Sequence, residues 1–331
     1  MNESNKPVIA VDAMGGDHGP SVIVPGAVAA LQADSPFALA LYGDQEAVQR
    51  ELASLDVADL DIRIVPCTQD IEMGESPASA IKNKKDSPIV RAMADQRAGL
   101  VQAVVSAGST GAMVAGSLII LGRLPGVDRP AIGTLIPTVA GELLLLDAGA
   151  NTQCTPEHIL SFARMGVVFA REVLGVDNPT VGQLNIGGEP KKGNELTVAA
   201  YELLDLAGLN FVGNVEGNQL MLGPSDVVVT DGVTGNNTLK LVEGFARFLH
   251  ALSRKPELSE SERQAMGPVL QILMRDYSYE VYGGAMLLGV KGISIIAHGR
   301  SSSRALANAV KVAWRQMEID LPSKLAAPAQ G

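Results

Sequence analysis

The chain contains 331 residues, of which 47% are hydrophobic, 4% are aromatic and 35 are glycines, and its formal net charge is −10. This charge argues against a general nucleic-acid binder, because such proteins carry a strongly basic surface. The two cysteines, Cys67 and Cys154, lack the spacing of a metal site and do not make a disulfide framework, so we expect neither feature.

The first predicted strand is an apolar run of four residues that begins at Val8 and leads into Asp12. The loop that follows it contains Gly15, Gly16, Asp17 and His18. Adjacent glycines permit positive φ angles and a close approach to the backbone, so this loop is suited to holding a small ligand. The alternative is a tight turn before a helix, with the two carboxylates capping that helix.

Short aliphatic runs that end in small or polar residues recur along the chain. They are VQAVV before SAGSTGA, LLLL before DAGAN, VGQLNI before GGEPKKGNE, DVVVT before DGVTGNNTLK, and ISIIA before HGRSSS. Segments with apolar residues at helical intervals lie between them, for example TPEHILSFARMGVVFAREVLG and ELTVAAYELLDLAG. This alternation predicts an α/β fold with a doubly wound, mostly parallel sheet and ligand-binding loops at the carboxyl ends of its strands.

Residues 238–279 depart from the alternation and predict a protruding helical hairpin. An apolar stripe runs from Leu241 to Leu252, Pro256 ends that helix, and Ser259 with Glu262 forms a capping-box pattern that opens a second one. The hairpin either packs on its own sheet or forms an interface between two copies of the chain. Since no linker or repeat marks a boundary, we predict a single α/β domain over residues 1–331.

Targeting and membrane signals are not apparent in the sequence. The first residues, MNESNKP, are polar, and the longest apolar run, near AMVAGSLIILG, is too short to span a bilayer. We therefore expect a soluble, cytoplasmic protein.

The loop chemistry excludes several common enzyme classes. The sequence has no Walker A motif, no G-x-G-x-x-G at the first helix and no G-x-S-x-G elbow. These absences disfavour, in that order, binding of ATP, binding of NAD and a covalent acyl-enzyme intermediate. The loops instead offer backbone N–H groups, hydroxyls, amides and cations. The candidate side chains are Ser106, Ser109, Thr110, Asn185, Asn236, Lys191, Lys192 and His298. Such groups suit a small oxyanion such as phosphate, and equally the developing oxyanion of an attacked carbonyl.

Eight motifs occur in one order between about residue 8 and residue 312. They are VDAMGGDHGP, VVSAGSTGAMVAG, LLDAGAN, LNIGGEPKKGNE, GNVEG, DVVVTDGVTGN, YGGAMLLGVKG and IIAHGRSS. Together they resemble the bacterial phosphate acyltransferases, the acyl-acyl-carrier-protein:phosphate acyltransferases of phospholipid synthesis. The resemblance implies transfer of a long-chain acyl group from acyl carrier protein to inorganic phosphate. It also implies a fold like that of isocitrate and isopropylmalate dehydrogenases, a homodimer, and no metal or nucleotide cofactor.

The resemblance also suggests roles for individual residues. Lys192, with Lys191 beside it, is expected to stabilise negative charge; Asn236 and Thr234 to orient phosphate or the carbonyl; Asp231 to hold their loop. His298 either donates a proton or hydrogen bond, or is a structural histidine. The remaining substrate-binding candidates are Asp12, Gly15, Gly16, Asp17, His18, Ser106, Gly108, Ser109, Thr110, Gly111, Asn185, Gly187, Gly232 and Gly235. Ser109, Val233 and Arg300 depart from the residues that the family commonly has there.

Two surfaces are predicted for partners. An acidic carrier protein needs a local basic patch on this acidic chain, and IKNKKDSPIVR offers Lys82, Lys84, Lys85 and Arg91, although such a run is also typical of a solvated helix end. The hairpin turn LSRKPELSE, with Leu252 and Leu258 beside Arg254 and Lys255, suits reversible contact with an anionic membrane.

Three alternative functions remain open from the residues. A phosphate acetyl- or butyryltransferase would use acyl-coenzyme A in place of the carrier protein. A decarboxylating dehydrogenase of similar fold is disfavoured, because neither an acidic metal triad nor a cofactor fingerprint is present. A non-catalytic acyl or phosphate sensor would bind its ligand without turnover.

Overall fold

The structure is a computed structural model that describes residues 6–31, 35–276 and 282–326. The described residues form two compact units: a first that combines those up to Pro130 with those from Tyr282 onward, and a second within Ala131–Val281. The single domain over residues 1–331 stays a prediction. No helix in the described ranges has the length and apolar content needed to cross a bilayer.

The strands and helices alternate along most of the chain. In chain order the strands are β1 (Val8–Asp12), β2 (Ala38–Gly43), β3 (Ile62–Pro66), β4 (Ala103–Ser106), β5 (Ala131–Thr138), β6 (Gly141–Leu146), β7 (Thr180–Asn185), β8 (Asn210–Glu216), β9 (Val227–Val229), β10 (Ala285–Leu288) and β11 (Ile293–Ile296). The helices are α1 (Pro20–Ala30), α2 (Gln45–Leu52), α3 (Pro77–Asn83), α4 (Pro88–Arg97), α5 (Thr110–Gly116), α6 (Pro156–Glu172), α7 (Glu195–Asp205), α8 (Gly232–Leu252), α9 (Glu260–Asp276), α10 (Ser303–Glu318) and α11 (Leu321–Ala326).

The strands of the first unit lie in the order β3-β2-β1-β4-β11-β10. Neighbours are parallel except for β10, which is antiparallel to β11. Every residue of β2, β4 and β11 is buried, as expected of strands covered on both faces. Helix α4 packs against β1 and β4, and α1 packs against α10. The carboxyl ends of β1, β4 and β11 therefore meet at one edge of this unit.

The strands of the second unit lie in the order β5-β6-β9-β7-β8. All pairs are parallel except β5 and β6, which form an antiparallel hairpin. Helix α6 packs against β6 and β9, and α8 packs against β5 and β6. The prediction of an α/β fold with a mostly parallel sheet is confirmed, and the two antiparallel pairs are features that it did not contain.

The predicted hairpin consists of α8 and α9, which contact each other. Helix α8 begins at Gly232, six residues before the predicted start at residue 238. The capping box of α9 is present, since the backbone N–H of Ser259 donates to Glu262 Oε2 at 2.8 Å and the N–H of Glu262 donates to Ser259 Oγ at 3.3 Å. Residues 277–279 of the predicted hairpin lie outside the described residues.

Candidate functional site

Three loops meet at the carboxyl ends of β1, β4 and β11 in the first unit. The backbone N–H of Asp17 donates to the carbonyl of Gly299 at 2.7 Å, and that of Ala297 donates to Ser106 at 2.9 Å. The structure therefore brings the predicted loops around Asp17, Ser106 and His298 together.

A buried hydrogen-bonded pair lies at the centre of these loops. Ser106 Oγ donates to Asp12 Oδ2 at 2.6 Å and accepts the N–H of Gly108 at 3.0 Å, while the N–H of Met14 donates to Asp12 Oδ1 at 3.1 Å. A Cβ on Gly15 would lie 2.7 Å from the backbone nitrogen of Gly108, so only glycine permits this approach. Asp12 thus holds the first loop against the loop after β4.

The capping alternative for this loop is wrong. Gly19 occupies the N-cap position of α1 and makes no side-chain cap. The Asp12 carboxylate bonds to Ser106, and Asp17 Oδ2 lies 3.6 Å from Nε of Arg300, with both side chains of that pair largely solvent-accessible. Asp17 and His18 are exposed at the surface of the loop.

Burial raises the pKa of Asp12 from its ordinary value of 3.8 to about 6, against the lowering effect of its hydrogen bonds to Ser106 and Met14. A raised pKa means that folding favours the protonated form, so this contribution to stability is complete below pH 4 and is lost as the pH rises through 6. A shift of this size corresponds to on the order of 3 kcal/mol.

Asp12→Asn should remove that pH dependence, because an amide has the same shape and does not titrate: its oxygen can accept the N–H of Met14, and its NH₂ group can donate to Ser106 Oγ. We expect the difference in free energy of unfolding between variant and parent to move in favour of the variant by roughly 2 kcal/mol between pH 4 and pH 7. Urea unfolding at several pH values measures it. A difference that stays constant over this range would show that Asp12 does not titrate with folding.

The other candidates of the first unit have local partners. The N–H of Arg300 donates to Nδ1 of His298 at 3.0 Å, so a neutral ring carries its proton on Nε2. Ser109 caps α5, accepting the N–H of Ala112 at 3.3 Å. Thr110 is exposed at the first position of α5, and Gly111 packs closely against Pro77.

The second unit contains a buried carboxylate to which we assigned no role from the sequence. Asp147 directly follows β6 and is fully buried. Its Oδ1 accepts the N–H groups of Ile132, Gly149 and Ala150 at 2.9–3.0 Å. Its Oδ2 accepts the backbone N–H of Asn151 at 2.7 Å and the side-chain amide of Asn151 at 2.9 Å. Burial raises the pKa of Asp147, and these hydrogen bonds oppose the rise.

The first turn of α8 rests on the loop that Asp147 organises. The N–H of Gly232 donates to the carbonyl of Asn151 at 2.9 Å. A Cβ on Gly232 would lie 2.5 Å from that carbonyl oxygen, and a Cβ on Gly235 would lie 1.9 Å from the carbonyl oxygen of Asp147. Both predicted glycines are therefore required for the close packing of helix against loop.

Asp231 is the N-cap residue of α8. Its Oδ1 accepts the N–H groups of Val233 and Thr234 at 2.9 and 3.0 Å, and its Oδ2 accepts the Thr234 hydroxyl at 2.6 Å. The hydroxyl of Thr234 is thus used within the cap. Asn236 is exposed. A Cβ added to Gly149 would lie 3.5 Å from the Cβ of Asn236, so Asn236 lies beside the Asp147 loop.

The loop after β7 carries the two candidate lysines. Asn185 Nδ2 donates to the backbone carbonyl of Lys192 at 2.9 Å, and Asn185 Oδ1 accepts the N–H of Ile186 at 2.8 Å, so this side chain positions the loop. Lys191 and Lys192 are both exposed. Lys192 Nζ lies 4.0 Å from Glu189 Oε1, with 53% of the lysine side chain accessible. Gly187 lies against the stem of Lys192.

The predicted site residues of the first unit thus form one polar cluster, and for the second unit we define the polar cluster as the loops that follow the neighbouring parallel strands β7 and β9. Within the described ranges, no group of three or more His, Cys, Asp and Glu side chains is arranged to hold a metal ion. Each cluster combines cations or N–H donors with side chains that are held by buried hydrogen bonds, which is the arrangement that anion stabilisation requires.

Comparison with known proteins identifies relatives over nearly the whole chain. The model of a family described as "Fatty acid synthesis protein" matches residues 8–324. The chain is 50% identical to the phosphate acyltransferase of Desulforamulus reducens over 318 residues, which cover 95% of this chain and 94% of that protein. It is 41% identical to the phosphate acyltransferase of Clostridium acetobutylicum over 323 residues, covering 96% and 97%.

Two solved structures share the fold. A phosphotransacetylase from Streptococcus pyogenes matches with a TM-score of 0.62 at 15% identity over 94% of each chain. A 4-hydroxythreonine-4-phosphate dehydrogenase from Klebsiella pneumoniae matches with a TM-score of 0.54 at 14% identity over 97% of this chain and 99% of that one. The second match agrees with the dehydrogenase-like fold that the motifs imply.

Proposed function

We propose that this chain, which belongs to the phosphate acyltransferase family, takes its acyl group from a long-chain acyl thioester of acyl carrier protein. Membership of the family makes it an acyltransferase that joins an acyl group to phosphate in fatty acid and phospholipid synthesis. The observation that supports this donor is the set of eight ordered motifs, which lie within the matched residues 8–324. The product is an acyl phosphate.

The proposed reaction needs no protein nucleophile. A phosphate oxygen attacks the thioester carbonyl carbon, the C–S bond breaks, and the carrier leaves as a thiolate that takes up a proton from water. Because a thiol has a pKa near 8.5, the leaving group needs little acid assistance. Holding phosphate against the carbonyl converts a dilute encounter into an almost intramolecular step.

We assign the charge-stabilising role to Lys192, whose ammonium group is accessible on a loop that Asn185 holds. Since the Thr234 hydroxyl is used by Asp231, orientation of phosphate or carbonyl falls to Asn236. For His298 we propose the role of hydrogen-bond donor to the substrate; its Nδ1 accepts the N–H of Arg300. No cofactor is required by these steps.

The donor is tested by following phosphate-dependent loss of the thioester, with mass detection of acyl phosphate. Long-chain acyl carrier protein and short-chain acyl-coenzyme A are compared as donors at matched concentrations. We expect turnover with the carrier thioester that stops when phosphate is omitted. Turnover with short-chain acyl-coenzyme A alone would assign the chain to the phosphate acetyl- or butyryltransferase alternative.

We also propose a cytoplasmic homodimer that contacts anionic membranes through the hairpin. Helix α8 exposes Leu241, Phe245 and Phe248, and α9 exposes Val269 and Ile272. This apolar face is large enough to favour a second copy of the chain as its cover.

The membrane contact is proposed for the turn between the two helices, where Arg254 and Lys255 are exposed. A monomer in light scattering, or equal co-sedimentation with neutral and anionic vesicles, would contradict these two proposals.

A further inference from the structure

Helix α10 carries a basic face, which we define by Arg304, Lys311 and Arg315. These positions fall within about 40° around the helix axis, because 3.6 residues make one turn. All three side chains are exposed, and none forms an ion pair with an acid in the described part of the chain. The one acid of this helix, the exposed Glu318, lies on the same side about one turn beyond Arg315, so the four positions together carry a net charge of +2.

The neighbouring helix adds no acid to this face. Helix α1, which packs against α10, contains no charged residue. The opposite side of α10 is apolar and buried, so the basic face is fixed outward by packing rather than held on a mobile loop. On a chain with a net charge of −10, a fixed face on which three cations outnumber one acid is a positive surface that attracts an anionic partner.

In the patch predicted from IKNKKDSPIVR, by contrast, some of the cations are paired with acids. Lys84 Nζ forms an ion pair with Glu75 at 2.5 Å and Arg91 forms one with Asp86 at 2.5 Å. Lys85 Nζ donates to the carbonyl of Ile81 at 3.0 Å. Two of its four cations are therefore paired with acids within the fold, which agrees with the alternative interpretation of this run as a solvated helix end.

The basic face is also placed near the polar cluster of the first unit. Helix α10 starts five residues after His298, and its cap Ser302 accepts the N–H of Ala305 at 3.3 Å. Arg304 thus stands at the end of the helix next to that cluster, and Arg315 lies about 17 Å further along the axis, at 1.5 Å per residue. A partner docked along this face would have one end close to the polar loops.

We propose that the basic face of α10 docks the acidic carrier protein that delivers the acyl thioester; this rests on the proposed function. A membrane is the less suitable partner, because no large apolar side chain is exposed among described residues 303–326 to enter the lipid. The acidic surface of the carrier matches the sign of the face. Such rim charges act mainly on association and its salt dependence.

The test compares two double variants with the same charge change. Lys311→Glu with Arg315→Glu inverts the basic face and takes the net charge from −10 to −14, since each replacement changes it by −2. Arg164→Glu with Arg171→Glu makes the same change on α6, where both arginines are exposed and Glu157 lies seven residues before Arg164. Equal melting temperatures for both variants and the parent establish that they fold.

We expect the α10 variant to raise the KM for the acyl-carrier thioester roughly tenfold at low salt and to weaken its salt dependence, with kcat at saturation unchanged. The α6 variant should raise that KM far less. Gln at positions 311 and 315 should give an intermediate KM, because it removes the attraction without adding repulsion.

Three results would overturn the docking proposal: an unchanged KM in the α10 variant, an equal rise in both variants, or loss of anionic vesicle binding with no change in KM. A parent enzyme that uses only acyl-coenzyme A would instead refute the proposed donor. Failure of the donor and failure of the docking surface are therefore distinguishable in the same set of assays.

Discussion

Lys192→Ala is expected to lower kcat for acyl phosphate formation by about 10²- to 10³-fold, the usual cost of removing one charge-stabilising donor from a transition state. The fold should be unaffected, because Asn185 holds the loop through the backbone carbonyl of Lys192 and not through its side chain. The lysine side chain is 53% accessible, and its nearest acid, Glu189, is 4.0 Å away. Steady-state kinetics with varied phosphate, together with thermal unfolding, measure both quantities.

Two further substitutions separate charge from side-chain volume. Lys192→Arg keeps the charge and should retain part of the activity, whereas Lys192→Met keeps the length of the side chain and should be as impaired as Lys192→Ala. A rise in the KM for phosphate with normal kcat would mean that Lys192 acts only in ground-state binding. Turnover close to that of the parent would refute the assignment.

The parallel core was predictable because its strands are buried on both faces and therefore consist of short aliphatic runs. The same composition explains why the sequence did not reveal the two antiparallel strand pairs. Strands β5 and β10 are also mainly apolar, and the antiparallel pairing of β5 with β6 and of β10 with β11 depends on contacts across the sheet. Local periodicity carries no information on strand direction.

The site was predictable at the level of loops and less so at the level of side chains. Thr234 and Asn185 look like ligand groups in the sequence, yet the structure uses the first in a helix cap and the second in holding the lysine loop. The spacing of Asp231 and Thr234, three residues apart at the start of a helix, contained the signal for the cap. The ion pair of Lys84 with Glu75 could not be predicted in this way, because the two residues lie nine positions apart and share no local motif.

Asp147 could not be identified by local pattern, because one of its donors is Ile132, fifteen residues earlier on β5. An available clue was the position of a carboxylate between a strand of leucines and a run of small residues whose N–H groups need acceptors. We interpret Asp147 as a positioning residue, because it organises the loop on which α8 begins and beside which Asn236 stands.

Asp147→Ala should lower the free energy of unfolding by about 3 to 5 kcal/mol. The substitution leaves the N–H groups of Ile132, Gly149, Ala150 and Asn151 without their acceptor, and each buried unsatisfied group costs roughly 1 to 3 kcal/mol before local relaxation. Urea unfolding measures the change. Asp44→Ala is the control, since Asp44 caps exposed α2 through one N–H bond and should cost only about 1 kcal/mol.

The milder variant Asp147→Asn tests whether loss of the carboxylate also lowers kcat. Its amide oxygen can still accept from Ile132, Gly149 and Ala150, but its NH₂ group faces the two donors of Asn151, so the first turn of α8 loses part of its support. We expect this variant to remain folded and to lose kcat more than it raises the KM for phosphate, because misplacing Asn236 weakens interactions made in the transition state. If Asp147→Ala unfolds at the same urea concentration as the parent, the carboxylate does not support the fold; if Asp147→Asn keeps full kcat, it does not position α8.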